Sequence, residues 1–279
     1  MKRSLIVLLL VVFVFSSISD AGNRPRPKRP RAPVAAADGK IAVDCPSTLD
    51  SILDCPDTGC GSRLDPNLNK QKNIRTNTSA PVDKDLQDLA DLPDPVPDFA
   101  IGDTREKVAA LGEGTMIRVV AFALVARKGG KESCNCGLAQ PEDTDNHIVL
   151  VDEATSKLTA RATPAKPATA TKKAVKARTA AQNTLDRREK ESQTAEFAPR
   201  VRLDHPTLVG ADLQALIAAQ RGKLLVRVTG LQFFDSEHSL GPFHLKRHNN
   251  WEIHPVFGLE FCPKGKTCTK GSNANWQSL

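Results

Sequence analysis

The pattern of apolar and polar positions changes character near residue 112, and most of the regular signal lies beyond it. Met116 to Ala126 (M-I-R-V-V-A-F-A-L-V-A) is a β-rich apolar run that follows Gly112 and Gly114 and stops at Lys128-Gly129-Gly130. It is long for one strand, so a bend is expected within it. His147 to Val151 predicts a second strand. Thr194 to Val201 predicts a poorer third, which Pro199 confines to a sheet edge or to the strand's own end. Leu208 to Gln220 sets Leu213, Leu216 and Ile217 at helical spacing among alanines, with Gly222 beyond the end as a terminator. Leu224 to Phe234 and Trp251 to Phe261 predict the fourth and fifth strands.

Three strands, a helix and two more strands is the order of the OB-fold, a five-stranded, partly open Greek-key barrel. Gly230 and Gly258 stand inside strands four and five, where a barrel strand must bend at a corner. The competing architectures are a β-sandwich and a helix packed on an open antiparallel sheet. The expected fold is therefore mainly β: an OB-like five-stranded barrel with one helix over 112–262, accompanied by a disordered leader and a disordered insert.

The remainder of the chain reads differently. Lys2 and Arg3 precede an apolar run from Leu5 to Phe15, and Ser19 and Ala21 supply small residues at −3 and −1, the marks of a secretory signal over 1–21. Eleven apolar residues fall short of a membrane span, so a cleaved signal and a secreted or periplasmic protein are expected. Residues 22–40 alternate proline with cations and predict an extended leader. Residues 41–79 form a small segment poor in apolar side chains, which cross-links rather than a core must hold together. Residues 80–111 read as a linker: Leu86 to Pro97 is a short helical turn broken by prolines. Residues 154–193 are a lysine-, alanine- and threonine-rich insert with no core of its own, and 263–279 a C-terminal tail.

Charge sharpens that division. The net charge is +7, yet 23–33 carries +5, 157–190 carries +8 and the first residues +1, which leaves −7 for everything else. A basic groove tracking a phosphate backbone is not what the folded part offers, and sequence-specific nucleic-acid binding is disfavoured. The basic segments 23–33 and 157–190 suit contact with an anionic polymer or a membrane surface.

Cys45, Cys55, Cys60, Cys134, Cys136, Cys262 and Cys268 read as disulfide candidates in an oxidising compartment. Cys262 and Cys268 flank a turn and are placed to staple the tail. Cys134 and Cys136 are too close to pair easily with each other and are expected to pair elsewhere, for instance with the C-terminal cysteines. An odd count leaves at least one thiol free.

The usual catalytic signatures are missing: there is no G-x-S-x-G, H-E-x-x-H, phosphate-binding glycine loop or C-x-x-C. What stands out is a group of polar residues comprising His147, Asp235, His238, Glu252 and His254. Alternation puts Glu252 and His254 on one face of strand five and Trp251 and Ile253 on the other. If Trp251 and Ile253 face the core, Glu252 and His254 become solvated or hydrogen-bonded groups at the barrel surface. If Asp145 and His147 converge with them at one rim, a divalent metal or acid–base chemistry becomes possible.

The blocks G-K-E-S-C-N-C, D-N-H-I-V-L-V, V-R-V-T-G-L-Q-F-F-D-S-E-H and R-H-N-N-W-E-I-H-P-V resemble a group of uncharacterised exported bacterial proteins with an OB-like domain. C-P-D-T-G-C-G and L-N-K-Q-K-N resemble a short module that accompanies it. The resemblance implies fold and export but brings no activity, and the basic insert departs from it. The sequence favours an exported binding or interaction module for an unknown ligand or protein, with no cofactor. The alternative is a metal-assisted, nuclease-like hydrolase built on the Glu/His cluster of the last strand.

Overall fold

The computed structural model describes residues 41–95, 104–157, 180, 183–203, 210–220, 223–237 and 247–279. The expected signal and leader, the centre of the insert, His205, His238 and His244 lie outside the described residues.

β1 (Ile41–Val43) and β2 (Gly61–Leu64) form a short antiparallel ribbon, followed by α1 (Pro66–Lys72). The start of α1 is set locally. Asp65 accepts hydrogen bonds from the backbone N–H of Asn67 and Leu68, and Pro66 occupies the first turn, where its missing N–H costs nothing. Then come β3 (Val82–Lys84), α2 (Leu86–Ala90) and α3 (Glu106–Ala109).

The stretch 80–111 is thus more than the expected linker. β3 pairs in parallel with the next strand, and Leu89 and Val108 are fully buried. Its leucines cover apolar surface on the barrel, a role that composition alone does not distinguish from that of a tether.

The barrel itself consists of β4 (Met116–Lys128), β5 (Asn146–Val151), β6 (Gln193–Phe197), β7 (Leu224–Phe234) and β8 (Trp251–Phe261). The pairing runs β4–β5–β6–β8–β7 and closes through β7–β4. All pairs are antiparallel except β6–β8, so this is a closed five-stranded mixed barrel.

β4 bends where expected: its register against β5 slips between Ala123 and Val125. β7 bends at Gly230, where a side chain would meet the Pro255 carbonyl oxygen 2.6 Å away. Pro199 ends β6 and starts a helical turn, so β6 is an interior strand with partners on both sides. The barrel interior is filled by Ile117, Val119, Ile148, Leu150, Phe197, Val226, Val228, Ile253 and Val256.

Helices differ from the expectation of one. The helix foreseen between strands three and four is α7 (Gly210–Ala219), which buries Leu213 and Ile217 in the core. Besides α1 to α3, the described residues also include α4 (Glu153–Lys157), α5 (183–189) and α6 (Pro199–Arg202). α4 and α5 border the basic insert, which is therefore structured at both edges. Leu185 packs against Val149 and Val151, and the buried Glu189 pairs with Arg127. No helix among the described residues is long and apolar enough to cross a membrane.

Three disulfides tie the chain: Cys45–Cys60, Cys55–Cys136 and Cys262–Cys268. The tail staple is the one expected. Cys136 pairs with Cys55 rather than with the C-terminal cysteines, which are already joined to each other. Cys134 is the free thiol, and it is buried.

Candidate functional site

The barrel's register assembles a polar layer on its outer wall. Ile148, Ala195, Phe197 and Ile253 point into the core, so alternation sends His147, Glu196, Glu252 and His254 to the opposite face. His147 lies opposite Glu196 across β5–β6. On the parallel pair β6–β8, Thr194 lies beside Glu252, which brings Glu196 beside His254 one pleat further along.

Two connections close over this wall. The one between β4 and β5 contributes Glu132, Cys134 and Asp145, and the one between β7 and β8 contributes Asp235 and Arg247. The cysteine-bearing segment adds Lys72 from α1.

This covering corrects the expectation that Glu252 and His254 are surface groups. Both have 0 % exposure. The cysteine-bearing segment, which has a small apolar cluster around Ile52, Cys55 and Cys60, supplies the roof, held down by Cys55–Cys136 and by the Asn73 amide donating to the Cys134 carbonyl oxygen at 3.0 Å.

His254 is the centre of the cluster. Its Nδ1 lies 2.7 Å from Glu196 Oε2 and 3.8 Å from Glu252 Oε2, and its Nε2 lies 3.9 Å from Asp145 Oδ2. The last distance is too long for a hydrogen bond, and His254 Nε2 has no hydrogen-bond partner among the described residues. Glu196 reaches His147 Nδ1 with its other oxygen at 3.3 Å. The His147 side chain is 35 % exposed, which makes it the cluster's opening to solvent. Arg247 pairs with Glu252 and, at 3.1 Å, with Asp235.

Lys72 Nζ is 2.8 Å from Glu132 Oε2, and the Cys134 thiol donates to that same oxygen at 3.3 Å. Of the expected site residues, His147, Glu252 and His254 meet around Glu196, and Asp235 joins them through Arg247. A cleft of about 590 Å³ lined by Asp85, Phe122, Gln193 and His248 shares no residue with this cluster.

Burial and charge compete throughout. Burial pushes the Asp145 carboxyl up to about 6, against the pull of His254. Glu196 is buried as well, yet His147 and His254 overcome that and hold it well below its ordinary value. Burial works against a charge on His254, and Glu196 and Asp145 outweigh it, so its pKa is raised. The Cys134 thiol is pushed up by burial and by the Glu132 carboxylate. Five carboxylates (Glu132, Asp145, Glu196, Asp235 and Glu252) meet two permanent cations, Lys72 and Arg247, in these contacts. Buried negative charge in such excess demands protons or a metal cation.

The donor set fits a cation. Asp145, Glu196 and His254 each offer one ligand atom, all within 4.8 Å of one another, and so do Glu132, Cys134 and Asp145. Oxygen, imidazole and thiol together suit zinc or a neighbouring transition metal.

A pH dependence follows. Asp145 and His254 have folded-state pKa values above their unfolded ones, near 3.8 and 6.5, so their contribution is full below those values. It is lost as pH rises through about 6 for Asp145 and above the ordinary imidazole range for His254. Glu196 acts in the opposite sense, losing its contribution only as pH falls well below its ordinary 4.5. Metal-stripped protein should therefore melt several degrees lower at pH 8 than at pH 5. Added zinc should reverse that trend, because its ligands bind without their protons. Melting curves with chelator and with zinc check both signs.

Sequence reasoning overlooked Glu196, Lys72 and Arg247. Glu196 carried a usable signal, since T-A-E-F sets one carboxylate between apolar neighbours in a strand. Lys72 and Arg247 carried none, because each is one cation among many. Comparison with protein-family models, curated proteins and solved structures found no match for this chain.

Proposed function

We propose that this chain is an exported, OB-like barrel protein that holds a divalent transition metal on His254 and Asp145, with Glu196 set against the other nitrogen of the His254 ring, and acts as a metal-assisted hydrolase. One observation carries the reading: the buried Nε2 of His254, without a hydrogen-bond partner among the described residues, faces Asp145 while Glu196 lies against its other ring nitrogen. A carboxylate against Nδ1 orients the ring and leaves Nε2 as the metal-binding nitrogen.

The strand order and the single parallel pair support an OB-like barrel. In that fold the face of strands two and three and the loops after strands one and four bind ligands, and the corresponding elements here frame the cluster. Three disulfides support an oxidising compartment.

The sequence alone ranks a non-enzymatic module first. Burial of Glu252 and His254 beside Asp145 and Glu196 reverses that order, because solvated surface groups need no such enclosure.

Bound there, a metal supplies a water of lowered pKa and a Lewis acid. The chain's residues do the rest. Arg247 pairs with Glu252 and Asp235, Glu196 orients both imidazoles, and His147 lines the partly exposed side of the cluster. Phosphodiesters are the substrate class to test first, since the sequence carries two strongly basic segments, 23–33 and 157–190, whose charge suits a polyanion.

Elemental analysis of purified protein should find bound transition metal, and His254→Asn should lose it while keeping the wild-type far-UV spectrum. Hydrolysis of a chromogenic phosphodiester should stop with chelator and return with metal. A wild-type protein that takes up neither zinc, manganese nor cobalt would overturn the reading. Salt-sensitive binding to anionic polymers that vanishes on deleting 157–190 would then favour the module.

A further inference from the structure

Resting on that reading, we infer that the site is built for two metal ions, with a second position formed by Glu132, Cys134 and Asp145 and with the Asp145 carboxylate bridging the pair. Nothing in the mechanism above uses Cys134, a free thiol buried from solvent, and its surroundings say what it is for. Its sulfur lies within 4.8 Å of ligand oxygens of both Glu132 and Asp145. Asp145 belongs equally to the set containing His254, and a carboxylate has an oxygen for each neighbour. Ions held 3.5–4 Å apart by a shared carboxylate are a recurrent arrangement in metal-dependent hydrolysis, where one activates water and the other steadies the leaving group.

The loop bearing Glu132 and Cys134 is fixed before any ion arrives. The Glu132 N–H donates to Asn135 Oδ1 at 2.9 Å, and the Asn135 amide donates to the Gly130 carbonyl oxygen at 3.1 Å. The Asn69 amide donates to Ser133 Oγ at 3.1 Å, and the Cys60 N–H to the Ser133 carbonyl oxygen at 3.3 Å. Gly59 has φ +70°, and a side chain there would lie 2.1 Å from the Ser133 carbonyl oxygen, so only glycine lets the two segments close. Cys55–Cys136 locks the far side.

Five clamps converge on a pentapeptide whose functional atoms are a carboxylate and a thiol. Lys72 and the thiol proton both address Glu132 Oε2, which leaves Oε1 to an ion. When the ion binds, a sulfur–metal bond replaces the S–H bond and the proton leaves to solvent, so uptake at this position releases one proton from the thiol. Lys72, already paired with Glu132, offsets the carboxylate charge while the position is empty and steadies the loop.

Cobalt titration of the full metal-stripped chain tests this, because thiolate-bound cobalt has a charge-transfer band in the near ultraviolet. The wild type should take up two equivalents and develop the band. Cys134→Ser and Glu132→Gln should each lose one equivalent, and Cys134→Ser the band as well, while both keep the equivalent that His254→Asn removes. Using both variants separates loss of a ligand from failure to fold. No uptake by the wild type would sink the metal reading itself. One equivalent in both the wild type and Cys134→Ser, without the band, would sink only the second position. A single equivalent lost entirely in Cys134→Ser would likewise overturn it, by placing the thiol on one shared ion.

Discussion

Arg247→Met should destabilise the fold by about 3–5 kcal/mol, the range found when one partner is removed from a buried ion pair. Arg247 is 6 % exposed and lies between Asp235, 2 % exposed, and Glu252, 0 % exposed. Without it, Glu252 keeps an imidazole 3.8 Å away and an already negative surrounding, and no permanent cation in these contacts. Methionine fills much of the volume, so the loss is electrostatic rather than a cavity. Two controls identify the cause. Arg247→Met combined with Glu252→Gln should recover a large part of the loss, since a neutral amide needs no counter-charge. The destabilisation of the single variant should also shrink as pH falls, because a protonated carboxyl tolerates burial. Denaturant titrations of the three proteins decide it. A single variant within 1 kcal/mol of the wild type, inside the range of exposed pairs, would mean that Arg247 is not this charge's partner.

Removing the Cys55–Cys136 disulfide by alanine substitution at both positions should cost about 4–5 kcal/mol from loop closure across its 81-residue separation. On the same basis the Cys45–Cys60 bond, with separation 15, contributes about 3 kcal/mol, and Cys262–Cys268, with separation 6, about 2 kcal/mol. The ranking matters more than any one figure, and melts of the three double variants give it directly. The Cys55–Cys136 bond should stand apart in a second way. It joins the roof to the loop of Glu132 and Cys134, so its loss should weaken metal uptake, while loss of the tail staple should leave uptake unchanged. A tail-staple variant that lost metal equally would show that the bonds act only through global stability.

Both predictions concern the covering of the barrel's outer wall, the part least legible in the sequence. The runs Leu224–Phe234 and Trp251–Phe261 coincide with β7 and β8 because strand length and apolar content are written residue by residue. The pairing of Glu252 with His254 on one face was legible for the same reason. What alternation leaves open is what lies on the other side of a face. It distinguishes inward from outward, and outward was read as wet.

Composition worked against the correct answer twice. The 41–79 segment has too few apolar residues to look like part of a core, and 80–111 looked like a tether. Yet Asn69, Lys72 and Asn73 are buried, because their polar groups are satisfied by the loop beneath them rather than by water. Glu196 was passed over because its importance lies in its neighbours, and those come from β5 and β8 rather than from its own strand.

By itself, then, the sequence determined the order of the five strands, the helix between the third and fourth, a bend within the first strand and one at Gly230, the tail staple and the side of β8 that carries its acid and imidazole, while the third strand ends at Phe197 rather than running on to Val201. Each depends on residues a few positions apart, within the reach of backbone periodicity and turn chemistry. Only the tertiary structure decided that β4 and β7 close the barrel, that Cys55 finds Cys136, and that five carboxylates, two imidazoles and a thiol share one largely buried layer. Those facts join residues up to about 120 positions apart. No local period encodes such partners, and the charge balance that makes the layer tolerable exists only after they meet.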